Sequence, residues 1–156
     1  MCNEFLFQQM ITIIPNFLDV VELDKFILSL DRSKAEPVDY SPNVNAIKYD
    51  RSPFNMDNFG NVTFFETLIY KHGAHSPPHV DFGPIDVWKA WKKTGILFCS
   101  DGYTGGEFYF PLLNISMKPK KNTLLLFPAG IGTDIYEHGV HPVNSGERIT
   151  AIFRFI

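Results

Sequence analysis

The chain has 156 residues, of which 45% are hydrophobic and 20% are charged, and its formal net charge is −3. This length is sufficient for one domain with its own buried core, and we interpret residues 1–156 as a single domain. The weakly acidic balance argues against nucleic-acid binding, because phosphate backbones are bound through basic surfaces. The 15 phenylalanines, 11 glycines and 11 prolines favour short strands and tight turns over a helical bundle.

Cysteine usage and the N-terminal stretch bear on the cellular setting. Cys2 and Cys99 are the only cysteines, which is too few for a disulfide framework or a thiolate zinc site. The N-terminus has no basic region, and Pro15 interrupts its apolar stretch. It therefore matches neither a signal peptide nor a membrane span. We expect a cytoplasmic protein that is not bound to a membrane.

The N-terminal part, residues 1–60, predicts a strand, a helix and loops that support a larger core. Ile11–Ile14 is a β-branched run that a proline ends, which predicts a strand. Asp19 and Glu22 have the spacing of a capping box, and the apolar residues that follow recur at helical spacing. The polar segment 32–60 predicts loops with one strand near residues 46–49. Such a segment either connects elements or lines a substrate entrance.

From residue 61 onward the chain consists of short strand-like runs separated by turn residues. Gly105 and Gly106 predict a turn between strands rather than a phosphate loop, because no helix follows them. Asp86–Lys93, which holds both tryptophans, predicts a short helix or an ordered loop. Many short strands at this spacing predict an antiparallel sandwich or barrel, so the fold class is mainly β. The predicted strands are Val62–Lys71, Thr94–Cys99, Glu107–Pro111, Thr123–Phe127 and Arg148–Ile156.

His79 and Asp81 form a candidate metal-binding pair. On an extended chain, residues two apart point to the same face, so this imidazole and this carboxylate can meet at one ion. Alone the pair is weak, because most His-x-Asp sequences are polar surface residues. His138 and His141 are candidates for a third ligand. Two histidines and one carboxylate leave positions open on iron(II), as in non-haem oxygenases, although zinc can use the same ligands.

Arg148 lies among apolar residues in the last predicted strand. An arginine that points inward from such a strand is costly to bury unless it meets an anion. Thr150 faces the same way, and a guanidinium beside a hydroxyl suits a carboxylate. The alternative is that Arg148 faces solvent or pairs with an acidic neighbour. A hydrolytic zinc site does not need such an arginine, so Arg148 favours iron over zinc.

The region from about Tyr70 to the C-terminus resembles the catalytic domain of prolyl 4-hydroxylase-like 2-oxoglutarate oxygenases. The resemblance covers just over half of the chain, and the order of its blocks is far more specific than any single motif. In family order the blocks are Tyr70-Lys-His-Gly73, His79-Val-Asp81, Thr94–Asp101, Gly105–Pro111, Met117–Pro128 and His138-x-Val-x-Pro-Val-x-x-Gly-x-Arg148.

The resemblance implies a double-stranded β-helix (jelly-roll) core over residues 61–156. It implies that the metal is held by His79, Asp81 and His138, because the family pattern places the last ligand ten residues before the arginine. That spacing selects His138 over His141.

The resemblance also implies a co-substrate site. Arg148 and Thr150 would hold the distal carboxylate of 2-oxoglutarate, with Tyr70 near the site. One departure concerns Phe98, which stands where many relatives carry a tyrosine that helps to bind the co-substrate. The loss of that hydroxyl leaves Arg148, Thr150 and Tyr70 to hold the carboxylate.

The activity that the resemblance implies is hydroxylation of a C–H bond, coupled to oxidative decarboxylation of 2-oxoglutarate. The expected cofactors are iron(II), 2-oxoglutarate and dioxygen, with ascorbate as a further candidate. Peptidyl proline, in a peptide or protein, is the favoured substrate by family analogy. The alternatives are a free amino acid or another small molecule, or a non-catalytic jelly roll that binds a metal. The sequence predicts no nucleic-acid or membrane partner and does not determine the oligomeric state.

Overall fold

A computed structural model describes residues 10–81 and 91–156. Cys2 and most of Asp86–Lys93 lie outside these residues. The described part contains one α-helix, α1 (Val20–Leu28), and short 3-10 helices at Arg32–Lys34, Pro111–Leu113 and Asp134–Tyr136. Its strands are β1 (Thr12–Ile14), β2 (Glu36–Pro37), β3 (Val44–Tyr49), β4 (Val62–Tyr70), β5 (Ser76–His79), β6 (Lys93–Phe98), β7 (Thr104–Gly105), β8 (Phe108–Phe110), β9 (Ile115–Met117), β10 (Thr123–Pro128), β11 (His138–Val140), β12 (Val143–Ser145) and β13 (Arg148–Phe155).

The predicted N-terminal helix begins where the capping residue stands. The Asp19 carboxylate accepts hydrogen bonds from the backbone N–H groups of Val21 and Glu22, at 2.9 and 3.3 Å. These bonds satisfy donors that the first turn of a helix otherwise leaves free. Leu23 and Phe26 are the buried residues of α1 and pack against the larger sheet. No helix in the described residues has the length and apolar character needed to cross a membrane.

The larger sheet is antiparallel and, in the described residues, has the strand order β1-β10-β6-β13-β4-β3-β2. β13 lies between β6 and β4 in this order, so its side chains have neighbours on both sides. Arg148 pairs with Tyr70 of β4, and Thr150 pairs with Leu68 of β4 and Phe98 of β6. The N-terminal strands β1 to β3 extend the sheet at both of its edges.

A smaller sheet faces the larger one and has the order β5-β11-β8-β9, with a short pair formed by β12 and β7 beside it. β5 and β11 were not predicted, because each is short and neither is a run of strand-forming residues. Pro77 and Pro78 also make β5 unlike an ordinary strand, since proline lacks the N–H that a sheet requires. Pairing of these two strands places His138 directly opposite His79.

Hydrophobic residues pack on both faces of the larger sheet. The outer face meets α1, where Phe65, Ile69 and Phe153 join Leu23 and Phe26. The inner face meets the smaller sheet through a second set of buried side chains, which includes Val44, Ala46, Leu68, Ile96, Phe108, Phe110 and Val140. Because side chains alternate along a strand, β4 and β13 each send every second residue into the space between the sheets.

Candidate metal and co-substrate site

A cavity of about 520 Å³ lies between the two sheets. The inner faces of β3, β4, β6 and β13 line one side of it, and residues of β5, β8 and β11 line the other. All residues that the sequence predicted for the site line this cavity: Tyr70, His79, Asp81, His138, Arg148 and Thr150. The structure therefore brings the predicted residues together.

The three predicted metal ligands converge on one point. The ring centroids of His79 and His138 are 4.5 Å apart, and Asp81 follows at the end of β5. Nε2 of His79 is 3.6 Å from Oδ1 of Asp81, and Nε2 of His138 is 3.5 Å from Oδ2. One ligand atom from each residue lies within 4.8 Å of the other two.

The outer nitrogens of both histidines are held by backbone carbonyls. Nδ1 of His79 lies 2.9 Å from the Pro77 oxygen, and Nδ1 of His138 lies 2.8 Å from the Tyr136 oxygen. A carbonyl only accepts hydrogen bonds, so each Nδ1 carries the proton and each Nε2 turns a lone pair toward Asp81. Two lone pairs that face a carboxylate repel it unless a cation lies between them. The donor set therefore fits a divalent metal ion.

The protonation states of the buried ligands also suit a metal. Burial lowers the pKa of His138 to about 4, so its imidazole is neutral at physiological pH. Burial raises the pKa of Asp81, but this pKa lies below its ordinary value, with the guanidinium of Arg154 as the main cause and the hydrogen bond from Thr94 as a further one. A neutral imidazole and an ionised carboxylate are the forms that bind metals.

Arg154 and Thr94 contact the predicted metal ligand Asp81, a role that was not predicted for them. Nη1 and Nη2 of Arg154 donate to the two oxygens of Asp81, at 2.8 and 2.9 Å. The Thr94 hydroxyl donates to Oδ2 of Asp81 at 2.8 Å. The guanidinium also lies over the Trp91 ring, 5.2 Å from its centroid. The available signal was the even spacing of Arg154 from Arg148 along β13, which places both on the inner face.

Arg148 is buried, with 1% of its surface exposed. Its guanidinium carbon lies 4.8 Å from the centroid of the Tyr70 ring and 5.3 Å from that of Phe98. Nε donates to the Gly106 oxygen at 3.1 Å. Gly106 has a φ of +68°, and a Cβ there would lie 3.2 Å from Cδ of Arg148. No acidic residue in the described part of the chain pairs with this buried cation, which leaves it for an anion in the cavity.

Two buried hydroxyl groups lie near Arg148. That of Thr150 has no hydrogen-bond partner among residues 10–81 and 91–156, and that of Tyr103 has none there besides the Arg148 guanidinium. Thr150 lies two residues from Arg148 on the inner face. Burial raises the pKa of Tyr103, and the nearby positive charge of Arg148 lowers it. A guanidinium with two hydroxyls beside it, one of them unpaired, fits a carboxylate. Tyr103 was not predicted, because it lies in a loop where spacing does not indicate direction.

His141 does not join the three predicted ligands. Its ring stacks on Tyr109, with centroids 4.2 Å apart and planes 18° apart. It pairs through its backbone N–H with the Glu107 carbonyl. His138, and not His141, therefore lies opposite His79.

Comparisons with known proteins agree with this geometry. A family model for the 2OG-Fe(II) oxygenase superfamily matches residues 65–155. Prolyl 4-hydroxylase subunit alpha-1 of Gallus gallus is 34% identical, over a match that covers 51% of this chain and 18% of that protein. The chain thus spans less than a fifth of the length of this relative.

Similar solved structures show the same fold. The viral collagen prolyl hydroxylase of Paramecium Bursaria Chlorella virus-1, in complex with 2-oxoglutarate, has a TM-score of 0.72 and 22% identity, covering 94% of this chain and 97% of that chain. A Pseudomonas putida prolyl-4-hydroxylase has a TM-score of 0.71 and 19% identity, covering 94% and 93%. A Trichoplax adhaerens prolyl hydroxylase, in complex with a peptide fragment of hypoxia inducible factor, has a TM-score of 0.70 and 18% identity, covering 99% of this chain and 90% of that chain. The predicted jelly-roll fold is confirmed, and the chain belongs to the 2OG-Fe(II) oxygenase superfamily.

Proposed function

We propose that this protein hydroxylates a C–H bond, with iron(II) held by His79, Asp81 and His138. In the same cavity, Arg148 and Thr150 bind the distal carboxylate of 2-oxoglutarate, and Tyr70 packs against that arginine. The observation that carries the proposal is the convergence of two Nε2 lone pairs and a carboxylate in the same cavity as a buried guanidinium that has no acidic partner among the described residues. A purely structural metal site has no use for such an arginine.

The chain's own residues contribute orientation and exclusion of water. Oxidation of the substrate, coupled to conversion of 2-oxoglutarate and dioxygen to succinate and carbon dioxide, is the chemistry that bound iron(II) supplies. Arg148 orients the co-substrate, because its planar fork can donate to both oxygens of one carboxylate. Ile96, Phe108 and Val140 line the cavity with apolar surface, which keeps bulk water away from the reacting carbon.

The proposed substrate is a prolyl residue in a peptide or protein. Support comes from the relatives, which include prolyl hydroxylases and one complex with a peptide fragment. Residues 36–40, at the end of the sheet, line the cavity and include exposed side chains. This segment provides an opening toward solvent. Ascorbate as a further cofactor and a cytoplasmic setting are also part of the proposal, and they rest on the resemblance and on cysteine usage.

Succinate formation from 2-oxoglutarate tests the function. The purified protein is incubated with iron(II), 2-oxoglutarate and a panel of proline-containing peptides, with free proline for comparison. Anaerobic titration of 2-oxoglutarate into the iron(II) protein measures the charge-transfer absorption of the complex. We expect both signals in the native protein and their loss in His79→Ala and His138→Ala.

His141→Ala is the matched control, because it removes a neighbouring imidazole that stacks on Tyr109 instead of facing the ligands. It should retain both signals. Absence of both signals from the native protein would favour a non-catalytic jelly roll. Retention of the absorption by His138→Ala would contradict the proposed ligand set.

A further inference from the structure

The cavity has a second charged end, away from Arg148. Glu66 of β4, Lys48 of β3 and Arg154 of β13 all line it. Lys48 stands directly opposite Glu66 in the sheet, and Arg154 is paired with Phe64, two residues from Glu66. Arg148 is paired with Tyr70, near the other end of the same strands. The two charged ends therefore lie along one inner face, separated by the length of a few strand residues.

The carboxyl group of Glu66 accepts no hydrogen bond from the described residues. Only 8% of its surface is exposed, and it forms no hydrogen bond or ion pair with any residue in the described part of the chain. Burial raises the pKa of Glu66, and the charges of Arg154 and Lys48 offset this only in part. The Arg154 guanidinium is instead bonded to Asp81. A buried carboxyl group in this state is costly unless a ligand supplies the missing donor.

The charges around this end favour a positively charged ligand. Glu36, in β2, and Asp39, in the segment that follows β2, line the same cavity and are exposed. The two terminal nitrogens of Arg154 are already paired with Asp81, although its Nε has no partner among the described residues, and Arg148 is assigned to the co-substrate. Lys48 is then the remaining cation among the described lining residues, against three carboxyl groups that belong to Glu36, Asp39 and Glu66. Such a field attracts cations and repels anions.

We propose that Glu66 binds a protonated amine of the substrate, so that good substrates carry a positive charge close to the carbon that is oxidised. This inference rests on the proposed function, because it concerns the substrate end of the same cavity. The amine would donate a charge-assisted hydrogen bond to the buried carboxylate. It could belong to the reacting residue itself or to a neighbouring basic side chain.

Binding of matched probes tests the proposal without turnover. Prolinamide, a cation, is compared with neutral N-acetylprolinamide, and acetyl-prolyl-lysinamide is compared with acetyl-prolyl-norleucinamide. Each is titrated by calorimetry into the full chain loaded with nickel(II) and 2-oxoglutarate. We expect the cationic member of at least one pair to bind about tenfold more tightly, as one charge-assisted hydrogen bond would give.

Three variants test whether Glu66 causes the preference for the cationic probes. Glu66→Gln keeps the size of the side chain and should reduce the preference to less than about twofold. Lys48→Met should increase the preference, because it removes the cation opposite Glu66. Glu22→Gln makes the same chemical change on the exposed first turn of α1 and should leave the preference unchanged. Thermal unfolding of each variant checks that it is folded.

Equal affinities within both pairs, or an unchanged preference in Glu66→Gln, would overturn the proposal. The proposed function is tested separately by the absorption of the iron(II) protein with 2-oxoglutarate, which Glu66→Gln should retain. If the native protein binds neither metal nor 2-oxoglutarate, the proposed function fails and this inference fails with it. If it binds both and shows no preference for the cationic probes, only this inference fails.

Discussion

Arg154 and Asp81 form a bidentate ion pair inside the cavity, with N–O distances of 2.8 and 2.9 Å. Their side chains are 13% and 3% exposed. Arg32 and Glu147 form a pair of the same shape at the surface, with two distances of 2.7 Å and exposures of 51% and 29%. The protein thus contains a buried and an exposed version of one interaction, and they allow the effect of burial to be measured.

Arg154→Met should lower the free energy of unfolding of the metal-free protein by about 3 kcal/mol, because it leaves Asp81 buried without its cation. Arg32→Met should cost less than about 1 kcal/mol, since solvent screens the exposed pair. Urea denaturation of both variants measures the difference. Added nickel(II) should stabilise Arg154→Met more than the native protein, because the ion replaces the missing positive charge. Equal losses in the two variants would contradict this account.

Thr150→Val should weaken the binding of 2-oxoglutarate by about tenfold, because it removes a hydroxyl that could donate to a charged carboxylate. The native hydroxyl is buried and unpaired within the described residues, so the metal-free variant should be at least as stable as the native protein. Thr67→Val is the control, because Thr67 is buried in β4 but does not line the cavity. Anaerobic titration monitored by absorption measures both affinities. An unchanged affinity in Thr150→Val would exclude Thr150 from the co-substrate site.

Tyr103→Phe should raise the KM for 2-oxoglutarate by about fivefold with little change in kcat, the pattern expected when a binding contact is lost. The phenyl ring would remain to pack against Lys118, whose Nζ lies 4.5 Å from its centroid. Only the hydroxyl beside Arg148 is removed. Tyr49→Phe, on the outer face of the larger sheet, serves as the control. A KM equal to the native value would show that the Tyr103 hydroxyl does not serve the co-substrate.

Glu66→Gln should stabilise the metal-free protein at pH 7.5 and have little effect near pH 4. The pKa of Glu66 is raised by burial, so folding favours the protonated carboxyl. Its contribution to stability is complete below the ordinary glutamate pKa and is lost as the pH rises through the raised value. Each unit of that rise corresponds to about 1.4 kcal/mol. Urea denaturation at several pH values tests this, and a stabilisation that does not grow with pH would contradict it.

The sequence predicted the long strands well and missed several of the short ones, including β5 and β11. β4, β6, β10 and β13 lie within about one residue of their predicted bounds, because each is a largely apolar run that neighbouring turn residues end. β5 and β11 depend on partners far away in the chain, since His138 pairs with His79 across a long connection. Local composition cannot predict a pairing between residues so far apart in the chain, and the prolines in β5 argue against a strand.

The site was predictable where two-residue spacing decides direction. Arg148 and Thr150 share a face for that reason, and so do His79 and Asp81. The bond between Arg154 and Asp81 joins residues 73 positions apart, so spacing gives the direction of the arginine but not its partner. The family resemblance supplied His138, and no feature of the sequence indicated that Tyr103 would reach Arg148.

The strict alternation along β13 links correct folding to chemistry. Arg148, Thr150, Ile152 and Arg154 face the cavity, whereas Ile149, Ala151, Phe153 and Phe155 fill the apolar layer beneath α1. A shift of one residue in the register of β13 would place both guanidinium groups in the apolar layer beneath α1. It would also turn the phenyl rings of Phe153 and Phe155 toward the cavity. A molecule with that error would be unstable as well as inactive. Selection for a well-packed core therefore also maintains the orientation of Arg148, Thr150 and Arg154 toward the cavity.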